Sequence, residues 1–257
     1  MPTKPVSRQE EQTIASFDWQ WRHLAEDGPP GDQAILLWAP GWREKVDTMI
    51  VDELGLAPAD LAGKRALDVG CGQGRWAYGL KKIGCDVLGI DTSPSAIELA
   101  RKWGLNARVM NLFEISNAGL AGQFDLVWCW GVIHHTADPE RAFKSVVDAV
   151  RSGGLIHCYV YSRPRSRQVR AMREVLKPFG FSTRRRIISM WIKLGLYHGS
   201  VHEGFDALSP SINREIGERE IRRWCEELGL DYERRYPRWA SKSEDIFFNA
   251  RRDHPSH

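Results

Sequence analysis

Nowhere in the 257 residues does an apolar run approach the ~18 residues that cross a bilayer, and the first twelve residues are polar and charged rather than basic-then-apolar. Neither a spanning segment nor a secretory leader is expected. Cysteine is sparse: Cys71, Cys85, Cys129, Cys158 and Cys225 are odd in number, widely spaced and form no C-x-x-C pair. That pattern argues against a disulfide framework and a zinc site, so a reduced, cytoplasmic chain without a metal is expected. Excess charge is missing too. A formal net charge of +3 is too small for the chain as a whole to bind nucleic acid electrostatically, and any such role has to come from local clustering. Internal repeats and low-complexity tracts are also lacking.

What is present is the composition of a folded protein, 42% hydrophobic and 27% charged. Its length suits one large α/β domain with additions. Eleven tryptophans are the one departure, and packing between elements explains such rings more often than ligand stacking does. Val6 to Glu26 and Ile35 to Leu56 read as helical, separated by Gly28-Pro29-Pro30-Gly31 and, within the second stretch, broken at Pro40-Gly41. From Lys64 short apolar runs alternate with amphipathic stretches, the pattern of βα units building a mostly parallel sheet. Strands are predicted at Ala66 to Val69, Val87 to Ile90, Ala107 to Met110, Phe124 to Trp130 and Leu155 to Tyr161. The helices between them are predicted at Trp76 to Ile83, Ala96 to Trp103 and Pro139 to Val150. The pattern is lost after Ser162 for about fifty residues rich in arginine and aromatics, which reads as an insertion. Glu218 to Leu228 is a further helix, and Tyr232 to Tyr236 and Asp245 to Ala250 are strands placed to pair antiparallel. Four segments follow: a helical cap over 1–62, an α/β core over 63–162, the insertion over 163–213 and a completion of the sheet over 214–257.

The first predicted strand runs into Asp68-Val69-Gly70-Cys71-Gly72-Gln73-Gly74. Glycines between a buried strand and a helix let backbone approach a ligand and present free N–H groups. Arg75 stands where a dinucleotide-binding G-x-G-x-x-G turn has its third glycine, so pyrophosphate cradling is disfavoured, although a turn required only by packing has the same spacing. About twenty residues past Gly70, Gly89-Ile90-Asp91 ends the second strand with a carboxylate, where ribose hydroxyls want an acceptor pair. The competing role for Asp91 is a helix cap, which Thr92 or Ser93 can supply instead.

These residues, followed by Phe124-Asp125-Leu126-Val127 and Gly153-Gly154, closely resemble class I S-adenosylmethionine-dependent methyltransferases. The resemblance is strong from Arg65 to about Ser162 and moderate over the last forty residues. It implies a Rossmann-like seven-stranded α/β sheet whose last strand is antiparallel, carrying here an N-terminal helical extension and an insertion after the fifth strand. It further implies that Asp68 and the loop of Gly70, Cys71, Gly72 and Gly74 receive the methionine end of S-adenosylmethionine and that Asp91 receives the ribose, with Thr92 beside it a further cofactor-binding candidate. Asn111-Leu112 falls where the family often has an acid against the adenine amino group, and asparagine can still accept a hydrogen bond there. Cys129 and Trp130 belong to the segment that lines the space between cofactor and acceptor, Cys129 as a small wall residue. Trp21, in Phe17-x-x-x-Trp21, resembles part of the helix that closes over the cofactor in some relatives.

His134 and His135 in the same segment are the candidate catalytic bases, because a neutral imidazole can take a hydroxyl proton as the methyl arrives. Packing, or capping of the turn before Asp138-Pro139, is the competing role of His135. Methyl displacement from a sulfonium rests chiefly on alignment, so a catalytic triad is not required. Arg163 to Arg186 holds eight arginines and one lysine against one glutamate. Arg163 and Arg165 there, with Tyr161, Tyr197, His198 and His202, are the candidate acceptor-binding residues. A phosphate or carboxylate on a small substrate, an RNA backbone or an anionic membrane surface would suit the basic segment, as would plain solvation. The expected activity is methyl transfer to an oxygen or nitrogen of a small anionic or sugar-bearing metabolite. An RNA methyltransferase and a non-catalytic cofactor-binding partner or sensor are the rival expectations.

Overall fold

The structure is a computed structural model and describes residues 7–23, 41–162, 167–240 and 245–252. Strands β1 (Arg65–Val69), β2 (Asp86–Asp91), β3 (Ala107–Val109), β4 (Phe124–Trp130), β5 (Val150–Val160), β6 (Leu230–Arg235) and β7 (Ile246–Arg252) form one sheet in the order β3-β2-β1-β4-β5-β7-β6. The first five are mutually parallel, and β7 runs antiparallel to β5 and β6. Strands β1 and β4 lie at the centre and are covered on both faces, which is why they read as near-continuous apolar runs rather than alternating ones.

The helices are α1 (Arg8–Arg22), α2 (Trp42–Leu54), α3 (Pro58–Leu61), α4 (Arg75–Ile83), α5 (Pro94–Lys102), α6 (Pro139–Ala149), α7 (Arg167–Leu176), α8 (Phe181–Lys193), α9 (Val201–Leu208) and α10 (Glu218–Glu227). Local chemistry sets the starts of several. Ser7 and Glu10 form a reciprocal capping box on α1, and Ser93 and Asp138 cap α5 and α6 just ahead of Pro94 and Pro139 in the first turn. One face of the sheet buries Leu67, Val127 and Cys129 against Phe143, Val146 and Trp224. The other buries Ala66, Leu126 and Trp128 against Ile50, Leu54, Trp76 and Leu80.

A third cluster lies in the insertion, where Met172, Leu176, Ile188, Phe205 and Leu208 pack together with Trp19 of α1. The lost sequence pattern therefore covers three real helices. Their apolar faces are short and shared with α1, and Arg184 occupies a core position. Its guanidinium is satisfied by the carbonyls of Phe179 (2.8 Å), Ser209 (2.7 Å) and Lys177 (3.0 Å), so a buried cation breaks the apolar stripe without an unmet cost.

The expected first helix, Val6 to Glu26, is shorter at Arg8–Arg22, and the second begins at Trp42 behind the left-handed Gly41 (φ 76°), with residues 24–40 outside the described set. Strand β5 starts five residues before the expected Leu155, because a register shift against β4 lets the chain pair early through Gly153-Gly154. A Cβ at Gly154 would lie 2.6 Å from Val150 Cγ2, so only glycine fits that bulge. Among the described residues no helix is long and apolar enough to cross a membrane.

Candidate active site

At the C-terminal ends of β1, β2 and β4 the chain encloses an open cavity of about 800 Å³, within the ~300–1,000 Å³ usual for small-molecule sites. Its floor is the glycine loop. Gly70 and Gly72 take the left-handed conformation (φ 68° and 54°), and a Cβ there would lie 2.3 Å from Val132 Cγ2 or 2.7 Å from Trp21 Cζ2. Trp21 thus closes directly on the loop from α1. The amides of Gly70 and Cys71 donate to the Ile90 carbonyl (2.7 and 3.0 Å), which ties the loop to the end of β2. Gly74, with φ 92°, lies behind the cavity wall against Leu105 and starts α4.

Asp91 completes the tie. Its two carboxylate oxygens accept the amides of Gly72 (2.9 Å) and Ser93 (2.8 Å), while the α5 cap itself is Ser93, whose hydroxyl accepts the Ala96 amide. Asp91 and Thr92 both face the cavity. Burial pushes the Asp91 carboxyl up, opposed by those amides. Asp68 sits one layer deeper at 1% exposure; burial holds its carboxyl at about 7, and its Oδ2 has no hydrogen-bond partner in the protein. Burial also pushes the Cys71 thiol well up, which leaves it a neutral wall group rather than a nucleophile.

Two residues of this floor were not among the sequence candidates. Gln73 lines the cavity at 2% exposure with neither amide atom partnered by protein, and buried polar atoms of that kind suit a polar ligand. Arg75 also lines it, with its guanidinium 4.2 Å from the Trp76 ring centroid and 5.0 Å from that of Trp130. Burial lowers Arg75 to about 10, while the charges of Glu53 and Asp68 support its cation. At the far end of the floor Asn111 and Leu112 line the cavity beside Met110 and Phe113. Asn111 caps a 3-10 turn, its Oδ1 accepting the Phe113 amide at 3.1 Å.

The two histidines separate. His134 is fully buried and absent from the cavity wall; its Nδ1 accepts the Tyr161 amide (3.4 Å) and its ring packs on Tyr161 with centroids 4.0 Å apart. His135 lines the cavity. Its Nδ1 is 3.0 Å from the Ile212 carbonyl oxygen, and because a carbonyl only accepts, Nδ1 donates there, which makes Nε2 the acceptor of the neutral ring. Phe17 stands edge-on to it at 4.9 Å.

Tyr161, just past β5, and His202 and Asp206 of α9 form a further wall, with the Tyr161 hydroxyl donating to Asp206 (2.9 Å) and Gln20 of α1 donating to the His202 carbonyl (3.0 Å). Asp206 was unforeseen, since the sequence pattern shows no helix to place it on one face with His202. Trp130 lines the cavity, whereas Cys129 is buried behind it in the sheet core. Tyr197 packs against the insertion core and His198 is exposed, both away from the cavity wall. Arg163 and Arg165 lie outside the described residues. The described residues hold no cluster of His, Cys, Asp and Glu able to bind a metal.

Helix α1 is held in place by side-chain contacts at both ends of this wall. The Ser16 and Ser209 hydroxyls pair at 2.8 Å, the Ile212 amide donates to Thr13 (3.0 Å), and Asp18 accepts from the Ser93 hydroxyl (2.7 Å) and the Ser95 amide (3.1 Å).

A methyltransferase-domain family model matches residues 42–234. The chain belongs to that family. Curated relatives include ubiquinone biosynthesis O-methyltransferases of Xanthomonas oryzae, 31% identical over 112 residues (42% of this chain, 47% of that protein), and of Acinetobacter baylyi, 37% identical over 100 residues (37% and 42%). The chain spans less than half the length of these relatives. Among solved structures, magnesium protoporphyrin IX methyltransferase of Synechocystis with bound S-adenosylmethionine superposes with a TM-score of 0.58 at 14% identity, covering 98% of this chain and all of that one. A 1,6-didemethyltoxoflavin-N1-methyltransferase of Burkholderia thailandensis gives 0.55 at 14% identity, covering 99% and 94%. The shared fold is the class I methyltransferase fold, with the same mixed seven-stranded sheet.

Proposed function

We propose that this chain is an S-adenosylmethionine-dependent methyltransferase acting on a hydroxyl oxygen of a small, anionic acceptor, with His135 as the base. The contact of His135 Nδ1 with the Ile212 carbonyl is the observation that carries the reading. With Nδ1–H held by the Ile212 carbonyl, Nε2 is the ring's acceptor on a residue that lines the cavity. The cofactor floor fits the cofactor: the unpartnered Asp68 Oδ2 and Gln73 amide suit its charged methionine end, and the Asp91 oxygens, each already taking one amide, keep a lone pair for the ribose diol. Bound there, its sulfonium supplies the methyl electrophile and a thioether leaving group.

His135 takes the hydroxyl proton as the new O–C bond forms and becomes an imidazolium, a charge that the Ile212 carbonyl tolerates. Phe17, Trp21 and Trp130 exclude water and give an acceptor flat apolar walls, while Arg141 and Arg214 on the cavity lining suit an anionic group on it. The names of the curated O-methyltransferase relatives support oxygen as the acceptor atom. His135→Gln is expected to lower kcat by about 10²–10⁴ and to remove the rising limb of the pH–rate profile, with cofactor affinity by calorimetry unchanged. Wild-type turnover by that variant across hydroxyl acceptors would remove His135 from the chemistry.

A further inference from the structure

The insertion carries an outward face that methyl transfer leaves unused. Of the eight large hydrophobic side chains exposed among the described residues, five lie here: Val175 (53%), Phe179 (40%), Met190 (49%), Leu194 (64%) and Leu196 (48%). From 167 to 199 the sequence holds eight lysines and arginines and one acid, Glu174. Part of that charge is internal or paired. Arg184 is buried on carbonyls, Arg173 donates to the Ala207 and Pro210 carbonyls, and Lys177 pairs with Glu174.

Helix α8 carries Arg185, Arg186 and Lys193, and two rows run along one side of it. Arg185, Ser189 and Lys193 make one, and Arg186, Met190 and Leu194 the other, each spaced by four residues. The first row, with Arg186, Met190 and Val201, lines a groove of about 390 Å³. The opposite side of α8 is committed: Ile188 packs so closely on α9 that a Cβ at Gly204 would be 2.7 Å from it. Beyond α9, His202 and Asp206 face the cavity. The basic, apolar side of α8 therefore points away from the chemistry.

We propose that this face of α8 docks the protein onto an anionic lipid bilayer, a headgroup phosphate seating among Arg185, Arg186 and Lys193 while Met190 and Leu194 enter the boundary of the acyl chains. Charge of one sign calls for an anionic partner. Aliphatic side chains set between those charges favour a bilayer, whose anionic surface overlies an apolar layer, over RNA, for which aromatic stacking platforms would be wanted. Docking through this face is independent of which acceptor is methylated.

The test is co-sedimentation of the intact protein with vesicles of phosphatidylcholine, alone or mixed with phosphatidylglycerol. Binding is expected only to the mixed vesicles and falls with added salt. Arg186→Gln/Lys193→Gln is expected to weaken it about thirtyfold, from the contribution of each surface cation. Met190→Ser/Leu194→Ser is expected to weaken it about tenfold while leaving the salt dependence in place. Both variants should titrate cofactor calorimetrically as the parent does, which shows that they fold. Failure of the parent to bind mixed vesicles, or undiminished binding by both variants, overturns the proposal. So does retention of RNA in a gel shift that the charge variant loses while vesicles are ignored by the parent.

Discussion

Asp68 has a carboxyl held at about 7 by burial, where an exposed aspartate sits near 3.8. The neighbouring Asp91 raises it further, and the Ala77 amide and Arg75 oppose the rise. Deep burial of an acid beside another acid is a cost that a cation relieves, and the methionine end of the proposed cofactor brings an ammonium and a sulfonium. The sign follows from linkage. Positive charge nearby favours ionised Asp68, so its pKa in the complex is lower than in the free protein and binding releases a proton. Cofactor affinity should rise with pH from the complex's pKa up to about 7 and flatten above it, by at most about tenfold per pH unit. Calorimetry at pH 6 in two buffers of different ionisation enthalpy measures the released proton directly, and Asp68→Asn should abolish it. No proton release by the parent would place the cofactor's charge away from Asp68.

Between elements, one buried network ties α2 to the far half of the sheet. Glu53 of α2 and His157 of β5 are both fully buried and meet at 2.7 Å. The other ring nitrogen of His157 meets Asn249 Oδ1 of β7 at 2.9 Å, and the Asn249 amide donates to the Leu54 carbonyl at 2.9 Å. His157 also stacks on Trp128 with ring centroids 4.3 Å apart. Burial raises the Glu53 carboxyl against the pull of His157, so the pair persists only while each partner satisfies the other. His157→Leu, which strands Glu53, is expected to cost about 3–5 kcal/mol in urea unfolding, and Glu53→Gln, which keeps a hydrogen-bonding group, less. A loss under about 1 kcal/mol for His157→Leu would mean that the network is dispensable.

Nothing in the order of residues announces this network, because its members come from three elements and each looks ordinary in its own segment. The strands were legible for the opposite reason. Phe124–Trp130 matches its expected range, and β1 and β2 lie within one residue of theirs, since a buried parallel strand must be apolar throughout and turn residues punctuate it. The glycine loop and Asp91 were legible because the backbone of Gly70 and Gly72 requires a positive φ and the loop needs an acceptor at the end of β2. Gln73, Arg75 and Asp206 escaped. An amide, a cation after a turn and an acid in a patternless stretch carry no meaning until the fold brings them to one cavity.

At the scale of the whole molecule the packing divides into a sheet with two large cores and a roof with its own small one. Trp19 of α1 sits in the insertion's cluster, 5.1 Å from the Phe205 ring centroid and 6.0 Å from that of Phe181, so α1 and α7 to α9 share a core separate from those of the sheet. The roof meets the sheet's loops through polar contacts, notably Asp18 on Ser93 and Ser95, and through Trp21 on Gly72. A unit with a small core and hydrogen-bonded seams opens at lower free energy than the elements it covers. Hydrogen exchange followed by mass spectrometry should therefore show α1 and α7 to α9 exchanging together and faster than β1, β4 and β5. Saturating S-adenosylmethionine should slow α1 most, because Trp21 closes on the loop proposed to receive it, and Trp21→Ala should lose much of that protection without changing exchange in the sheet. Exchange of the roof and sheet at one common rate, with and without ligand, would show instead that the molecule opens only as a whole and that an acceptor reaches His135 through the standing mouth of the cavity.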